Sequence, residues 1–131
     1  MSLVLRLRSS SACVSEVEQY VHLLFDKFGL DPELYPNILI SLTEAVNNAI
    51  QHGNRNDISK VVCVKSEKMQ EVLCCEISDE GSGFDPSALP DPTAPENIEK
   101  PGGRGVFLMR QLSDRVFFKN NGSTVALEFN L

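Results

Sequence analysis

The chain has 131 residues, of which 42% are hydrophobic and 23% charged, and its formal net charge is −6. The size and composition are ordinary for one soluble globular domain with its own core. The acidic balance argues against direct binding to nucleic acid, because no basic block is present to neutralise phosphates, and no apolar run approaches the roughly 18 to 20 residues that span a bilayer.

The first part of the chain is predicted to form a strand and two helices. Leucine at every second position of residues 3–8 predicts a half-exposed strand and does not fit a signal peptide, so we expect a cytoplasmic protein. Apolar residues recur at helical spacing over 14–28, and Gly29 is a good helix stop. Asp31 and Pro32 begin a second helix, which closes at Gly53 and Asn54.

The second part is predicted to hold four strands, one helix and a long loop. Strands are expected at about 58–65, 71–78, 115–120 and 123–130, and a helix at 103–112. Asn121 and Gly122 give a strong hairpin signal between the last two strands.

Residues 84–103 hold Pro86, Pro90, Pro92, Pro95 and Pro101, so they cannot form a regular helix or a central strand. Such a segment inside a compact domain is typical of a functional loop or lid. The element order predicts a single α+β domain over 1–131. The same order suggests a mixed or mainly antiparallel sheet covered on one face by helices.

The four cysteines, Cys13, Cys63, Cys74 and Cys75, contain no C-x-x-C pair. Zinc binding is therefore weakly supported, and we expect buried, reduced thiols.

The second helix carries a line of polar residues. Glu44, Asn48 and His52 are four positions apart and share one face. Taken alone, this line is also typical of a solvated helix surface. As a functional site, it would offer the Asn48 amide oxygen to Mg²⁺ and the Glu44 carboxylate to the proton of an attacking hydroxyl or water. His52 in such a position is more often a cap or a structural residue than a catalyst.

A second motif, Asp79-x-Gly81-x-Gly83, follows a predicted strand. Its glycines can adopt positive φ and admit a ligand close to the backbone. The Asp79 carboxylate can accept a hydrogen bond from the exocyclic amine of adenine, whereas guanine presents a carbonyl there. An ordinary strand-ending turn is the alternative.

A third motif contains Gly102, Gly103, Arg104 and Gly105 and runs into a helix. N–H groups at a helix start can bind phosphate, and Arg104 could reach a terminal phosphate. A plain glycine-rich helix start is the alternative. The Walker A and Rossmann patterns are both absent.

In this order, with the proline-rich segment between the last two, the motifs resemble those of the GHKL (Bergerat-fold) ATPases. Within that superfamily the chain is most similar to the anti-sigma factor serine/threonine-protein kinases, which have a histidine kinase-like ATPase domain. Glu44-Ala45-x-x-Asn48-Ala49 with His52-Gly53 matches the N box of the family. Asp79-x-Gly81-x-Gly83-Phe84 matches its first glycine box, and Gly103-Arg104-Gly105-Val106 matches its second.

The resemblance implies a two-layer α/β sandwich with a lid at about 84–103, and ATP and Mg²⁺ as cofactors. It also implies Glu44 as the catalytic base, Asn48 as a metal ligand and Asp79 as the residue that reads adenine. The candidate nucleotide-binding residues are Asn48, His52, Asp79, Gly81, Gly83, Phe84, Gly102, Gly103, Arg104, Gly105 and Val106.

The family also implies a function and partners. The expected activity is phosphorylation of a serine or threonine on an anti-sigma-factor antagonist, combined with sequestration of a sigma factor by a kinase homodimer. No direct contact with nucleic acid or membrane is expected. The alternative is a nucleotide-gated regulatory binding module of the same fold without significant kinase activity.

Overall fold

The computed structural model describes residues 2–81 and 103–131. Its strands and helices are β1 (Ser2–Arg8), α1 (Ser15–Phe28), α2 (Tyr35–Asn48), β2 (Val61–Met69), β3 (Val72–Ser78), α3 (Gly103–Leu112), β4 (Arg115–Lys119) and β5 (Thr124–Asn130). The predicted order of elements is confirmed for this part of the chain, and α3 has the predicted bounds. Within it, no helix is both long and apolar enough to cross a lipid bilayer.

The strands of the described residues form one five-stranded sheet in the order β1-β2-β3-β5-β4, and each neighbouring pair is antiparallel. Side chains alternate between its two faces, as in β2, where Val62 and Val64 are buried but Val61 and Lys65 are exposed. The buried face packs against the helices, which confirms the predicted α+β sandwich.

Helix α2 provides the centre of the core. Ile38, Leu42 and Val46 are fully buried, as is Ile50 in the turn that follows α2, and their spacing of four residues places them along one side. Burying each such side chain stabilises the fold by about 1.5–3 kcal/mol. This anchoring fixes the orientation of α2 and therefore the position of the polar residues of the first motif, Glu44 and Asn48.

Both ends of α2 depart from regular α-helix. Asp31 caps a short 3₁₀ turn over Pro32–Leu34 by accepting the Glu33 N–H at 2.9 Å, which confirms the predicted helix start in a tighter form. At the other end, Ala49–Gly53 form a π-helical turn. A π turn inside a helix is often found at a functional site, because it redirects the chain.

The predicted strand at 58–65 is wrong at both ends, since β2 covers Val61–Met69. Arg55 and Asn56 both have positive φ, at 52° and 58°. Asp57 then accepts hydrogen bonds from the N–H and the hydroxyl of Ser59. These local contacts form a turn that delays the strand.

The hairpin between β4 and β5 is also longer than predicted. Lys119 pairs with Thr124, so four residues separate the strands, and not the Asn121-Gly122 pair alone. Asn120, Asn121 and Gly122 all have positive φ, which asparagine and glycine tolerate better than other residues.

All four cysteines are free, as predicted, but the expectation of burial is wrong for three of them. Cys75 is fully buried, whereas Cys63 and Cys74 are half-buried on the sheet face that the helices do not cover, and Cys13 is half-buried before α1. Burial raises the pKa of the Cys75 thiol to about 12.

Candidate active site

The polar side of α2 is covered by α3 and is not a solvated surface. Ser41 is completely buried, and the hydroxyls of Ser41 and Ser113 lie 3.5 Å apart. At the other end, Gly105 of α3 lies against Glu44 and Asn48. The two helices therefore run antiparallel, and α3 leaves Glu44 and Asn48 only half-buried. His52 is exposed, one turn beyond this contact.

Gly105 is the point where the first and third motifs meet. A Cβ atom at this position would lie 2.9 Å from Asn48 Nδ2, 3.1 Å from Glu44 Oε2 and 3.2 Å from Asn48 Oδ1. Glycine is thus required by close approach of two helices, and the carboxylate and amide are gathered at the N-terminal turn of α3. Backbone N–H groups at such a turn and its dipole favour an anion.

Asp79 is fixed at the end of β3 by its own backbone and side chain. Its N–H donates to the Ser123 carbonyl at 2.9 Å, and its Oδ1 accepts from the Gly81 N–H at 2.7 Å. The carboxylate lies against Gly53, where an added Cβ would overlap it. The first and second motifs therefore also touch.

Gly81 plays a different role from the one predicted. Its φ does not lie in the positive region, so the turn does not need the conformational freedom of glycine there. A Cβ at Gly81 would instead overlap the carbonyl of Gly53. The residue is small because two backbone segments cross at this point.

The environment of Asp79 raises the pKa of its carboxyl above the usual range. Burial is the largest cause, while the hydrogen bond from the Gly81 N–H and the charge of Lys60 act in the opposite direction. A partly desolvated carboxylate accepts hydrogen bonds with little competition from water. It is therefore suited to recognise a hydrogen-bond donor on a ligand.

A small cleft, about 20 Å³ in volume and partly open to solvent, lies between α2, α3 and the sheet. Its lining is mostly apolar and includes two polar residues of the predicted motifs, Asn48 and Asp79. The other lining residues are Ala45, Ala49, Ile77, Met109, Phe118, Gly122, Ser123 and Val125. Apolar walls with a few directed polar groups have the chemistry of a site for a flat heterocycle that is hydrogen-bonded at its edge, and the cleft would have to widen to admit one.

The residues of β3, α3, β4 and β5 in this cleft were not predicted as site residues. Ile77, Met109 and Val125 have the pattern of core residues, and the hydrophobic periodicity that places them inside cannot tell a cleft wall from a core. Only the sheet order, which puts β5 beside β3, brings them together.

Several residues predicted for the site are either not described by the structure or lie in the core. Gly83, Phe84, Gly102 and nearly all of the predicted lid at 84–103 lie outside the described residues. Gly103 and Arg104 begin α3, but the Arg104 side chain is not among the described parts. Val106 is buried and belongs to the core.

The carboxylates, thiols and imidazoles of residues 2–81 and 103–131 form no group of three or more that could hold a metal ion. These described residues therefore contain no metal site built mainly from such side chains. Magnesium needs fewer ligands when phosphate oxygens and water complete its shell.

The chain is similar in sequence to a known domain family and to named protein kinases. The family model described as "Histidine kinase-like ATPase domain" matches residues 7–129. The serine-protein kinase RsbW of Staphylococcus aureus, in strains JH9 and Newman, is 28% identical over 131 residues, which cover 94% of this chain and 82% of the relative.

A solved structure, that of the RsbU and RsbW domains of Rv1364c from Mycobacterium tuberculosis, is similar over 100% of this chain, with a TM-score of 0.71 and 15% identity. This chain spans 32% of the length of that protein, and the likeness shows the fold alone.

Proposed function

The chain belongs to the histidine kinase-like ATPase family, and from this we propose that it is an ATP-dependent serine/threonine-protein kinase of the anti-sigma-factor type. The observation that carries the proposal is the meeting of the motifs: Gly105 against Glu44 and Asn48, and Gly53 against Asp79. One residue from each contact, Asn48 and Asp79, lines the same cleft, and the first turn of α3 beside Asn48 favours an anion.

The adenine ring is proposed to lie in the apolar cleft, with its exocyclic amine donating to Asp79. Ile77 and Met109 would pack on the ring faces. The phosphates would then extend towards the first turn of α3, where N–H groups without helical partners are available. Because the net charge of the chain is −6, its overall field does not favour ATP, and the proposal relies on this local geometry.

The residues present fit a magnesium ion that is shared with phosphates. The Asn48 amide oxygen and the Glu44 carboxylate are hard oxygen donors gathered at Gly105. We assign Asn48 as the ligand from the protein. When bound, the ion supplies positive charge that offsets the charge of the phosphate oxygens.

Glu44 is proposed to act as the base. Its carboxylate accepts the proton of a serine or threonine hydroxyl as the hydroxyl oxygen bonds to the γ-phosphorus. The bond from that phosphorus to the bridging oxygen of ADP breaks, and ADP leaves. Half-burial of Glu44 limits access of water to the proton acceptor.

The substrate and partners are also part of the proposal. The relatives named serine-protein kinase RsbW support a serine acceptor, and we propose an anti-sigma-factor antagonist as its carrier and a sigma factor as the sequestered partner. A cytoplasmic homodimer of single domains is proposed with them.

The proposal is tested by Glu44→Ala, which removes the base without touching Asp79. We expect Mg²⁺-ATP binding by calorimetry to change little and transfer of labelled phosphate to an antagonist protein to fall at least about a hundredfold. Glu16→Ala, an exposed glutamate on α1, is the matched control and should behave as wild type. Retained transfer in Glu44→Ala would refute the assignment of the base.

A nucleotide-gated binding module is the second candidate, favoured by one observation. Gly105, in the helix that follows the proposed nucleotide loop, rests directly on Glu44 and Asn48, so a ligand at this contact would bear on the position of α3. ATP-dependent complex formation with the partner, without any label transfer in the wild type, would favour this candidate over the kinase.

A further inference from the structure

Asn54, directly after the first motif, is completely buried and joins three separate parts of the chain. Its Oδ1 accepts the N–H of Glu80 at 2.7 Å. Its Nδ2 donates to Ser9 Oγ at 2.8 Å and to the Val61 carbonyl at 3.2 Å. A buried amide is costly unless it is hydrogen-bonded, and this one has a partner for both its oxygen and its nitrogen.

These bonds belong to a closed ring of three residues. The Glu80 carboxylate accepts the N–H of Val61, whose carbonyl accepts from Asn54, whose oxygen in turn holds the Glu80 N–H. The orientation of the amide is unambiguous, because a backbone N–H can only donate and a carbonyl can only accept. Each member of the ring therefore restrains the other two.

The ring holds the two segments that meet at Asp79. Glu80 follows Asp79, and Asn54 follows Gly53, whose backbone touches the Asp79 carboxylate. The Gly81 N–H bonded to Asp79 Oδ1 lies one residue beyond the clamped N–H of Glu80. Motion of Glu80 would therefore alter both the position and the hydrogen bonding of the carboxylate.

We propose that Asn54 is a positioning residue for base selectivity: it clamps Glu80 so that Asp79 presents its carboxylate to a purine amine and not to a purine carbonyl. This inference rests on the proposed function, in which Asp79 reads adenine. Hydrogen bonds weaken steeply when their angle departs from linearity, so a loosened carboxylate loses selectivity before it loses all binding.

The test compares the affinities of variants for Mg²⁺-ATP and Mg²⁺-GTP by calorimetry, with thermal unfolding measured in parallel. Asn54→Ala removes the acceptor for the Glu80 N–H, and the ATP-over-GTP preference should fall by about tenfold. Tyr20→Phe is the control: it removes a buried hydroxyl that bonds Leu3 and Ser66 in the core, away from Asp79. It should lower the unfolding temperature and leave the preference unchanged.

A double-mutant cycle separates positioning from general destabilisation. If Asn54 acts through Asp79, then Asn54→Ala added to Asp79→Asn should change ATP affinity by less than about threefold. Equal losses in both backgrounds, or an unchanged ATP-over-GTP preference in Asn54→Ala, overturn the inference. If Asn54→Ala does not fold, Asn54→Ser replaces it with the same expected result and the same refutation.

The failure of the proposed function would look different. A wild-type protein without saturable Mg²⁺-ATP binding would overturn the proposed function and this inference together. Wild-type binding with a strong preference for ATP, combined with an unchanged preference in Asn54→Ala, overturns the inference alone.

Discussion

Gly105 offers a direct test of the contact between α2 and α3, because alanine there has opposite effects on the helix and on the site. On helix propensity alone, Gly105→Ala stabilises α3 by up to about 1 kcal/mol. The new Cβ, however, would lie 2.9 Å from Asn48 Nδ2, whereas ordinary contacts begin at 3.4 Å. The amide, or the helix that carries it, must withdraw by about half an ångström.

This displacement sets the size of the expected effect on catalysis. A misplacement of about 1 Å can reduce a rate a hundredfold, so half of that predicts a loss of about tenfold, or ~1.4 kcal/mol in the barrier. Stability should change by less than about 1 kcal/mol, since propensity and steric strain oppose each other. ATP affinity should fall less than the rate, because the contacts of Asp79 with Gly53 and Gly81 are not disturbed.

The assay is single-turnover transfer of labelled γ-phosphate at saturating Mg²⁺-ATP, with urea unfolding of the same samples. Gly29→Ala is the control: its φ of 60° makes alanine strained, but no atom lies within 4 Å of the added Cβ. It should lose about 1 kcal/mol of stability and keep the wild-type rate. A wild-type rate in Gly105→Ala would show that α3 does not hold Glu44 and Asn48 in place.

Three further predictions concern Asp79 and the core. Gly53→Ala should reduce ATP affinity by about tenfold or more, because its Cβ displaces the Asp79 carboxylate; calorimetry checks this, and unchanged affinity contradicts the contact. The raised pKa of Asp79 means that the folded state keeps this proton at a pH where the unfolded chain has lost it. The stability of wild type relative to Asp79→Asn should therefore fall as pH rises above about 4, measured by urea unfolding; a rise would contradict the raised pKa. Cys75, fully buried with a pKa of about 12, should react with a thiol reagent only on unfolding, whereas Cys63 should react in the folded protein; mass spectrometry of labelled peptides checks the order, and early labelling of Cys75 would contradict its burial.

The elements that the sequence predicted well are those whose signals are local. The bounds of α3 follow from glycines at its start and apolar residues at helical spacing, and the structure has the same bounds, Gly103–Leu112. The start of β2 could not be predicted in this way. Its apolar pattern extends back to Ile58, but the side chain of Asp57 and two residues with positive φ form a turn there instead. A local hydrogen bond outweighed β propensity.

The candidate site likewise contains residues with a local sequence signal and residues that only the fold brings together. Glu44, Asn48 and Asp79 were predicted as candidates from their motifs. The walls of the cleft were not predicted, because Ile77 and Val125 come together only through the pairing of β3 with β5. Asn54 was predicted only as part of a helix end. Its role depends on contacts with residues 45 positions before it and 26 positions after it, which no local pattern reveals.

Three glycines of the sequence motifs lie at the contacts between those motifs in the fold. Gly53, Gly81 and Gly105 all lack positive φ, so none is required by backbone conformation. Each lies where a Cβ would press on an atom of another motif: the Asp79 carboxylate, the Gly53 carbonyl, or the side chains of Asn48 and Glu44. The three motifs are therefore recognisable along the chain because they touch in the fold. It follows that substitution of any one of these glycines should disturb a motif other than its own.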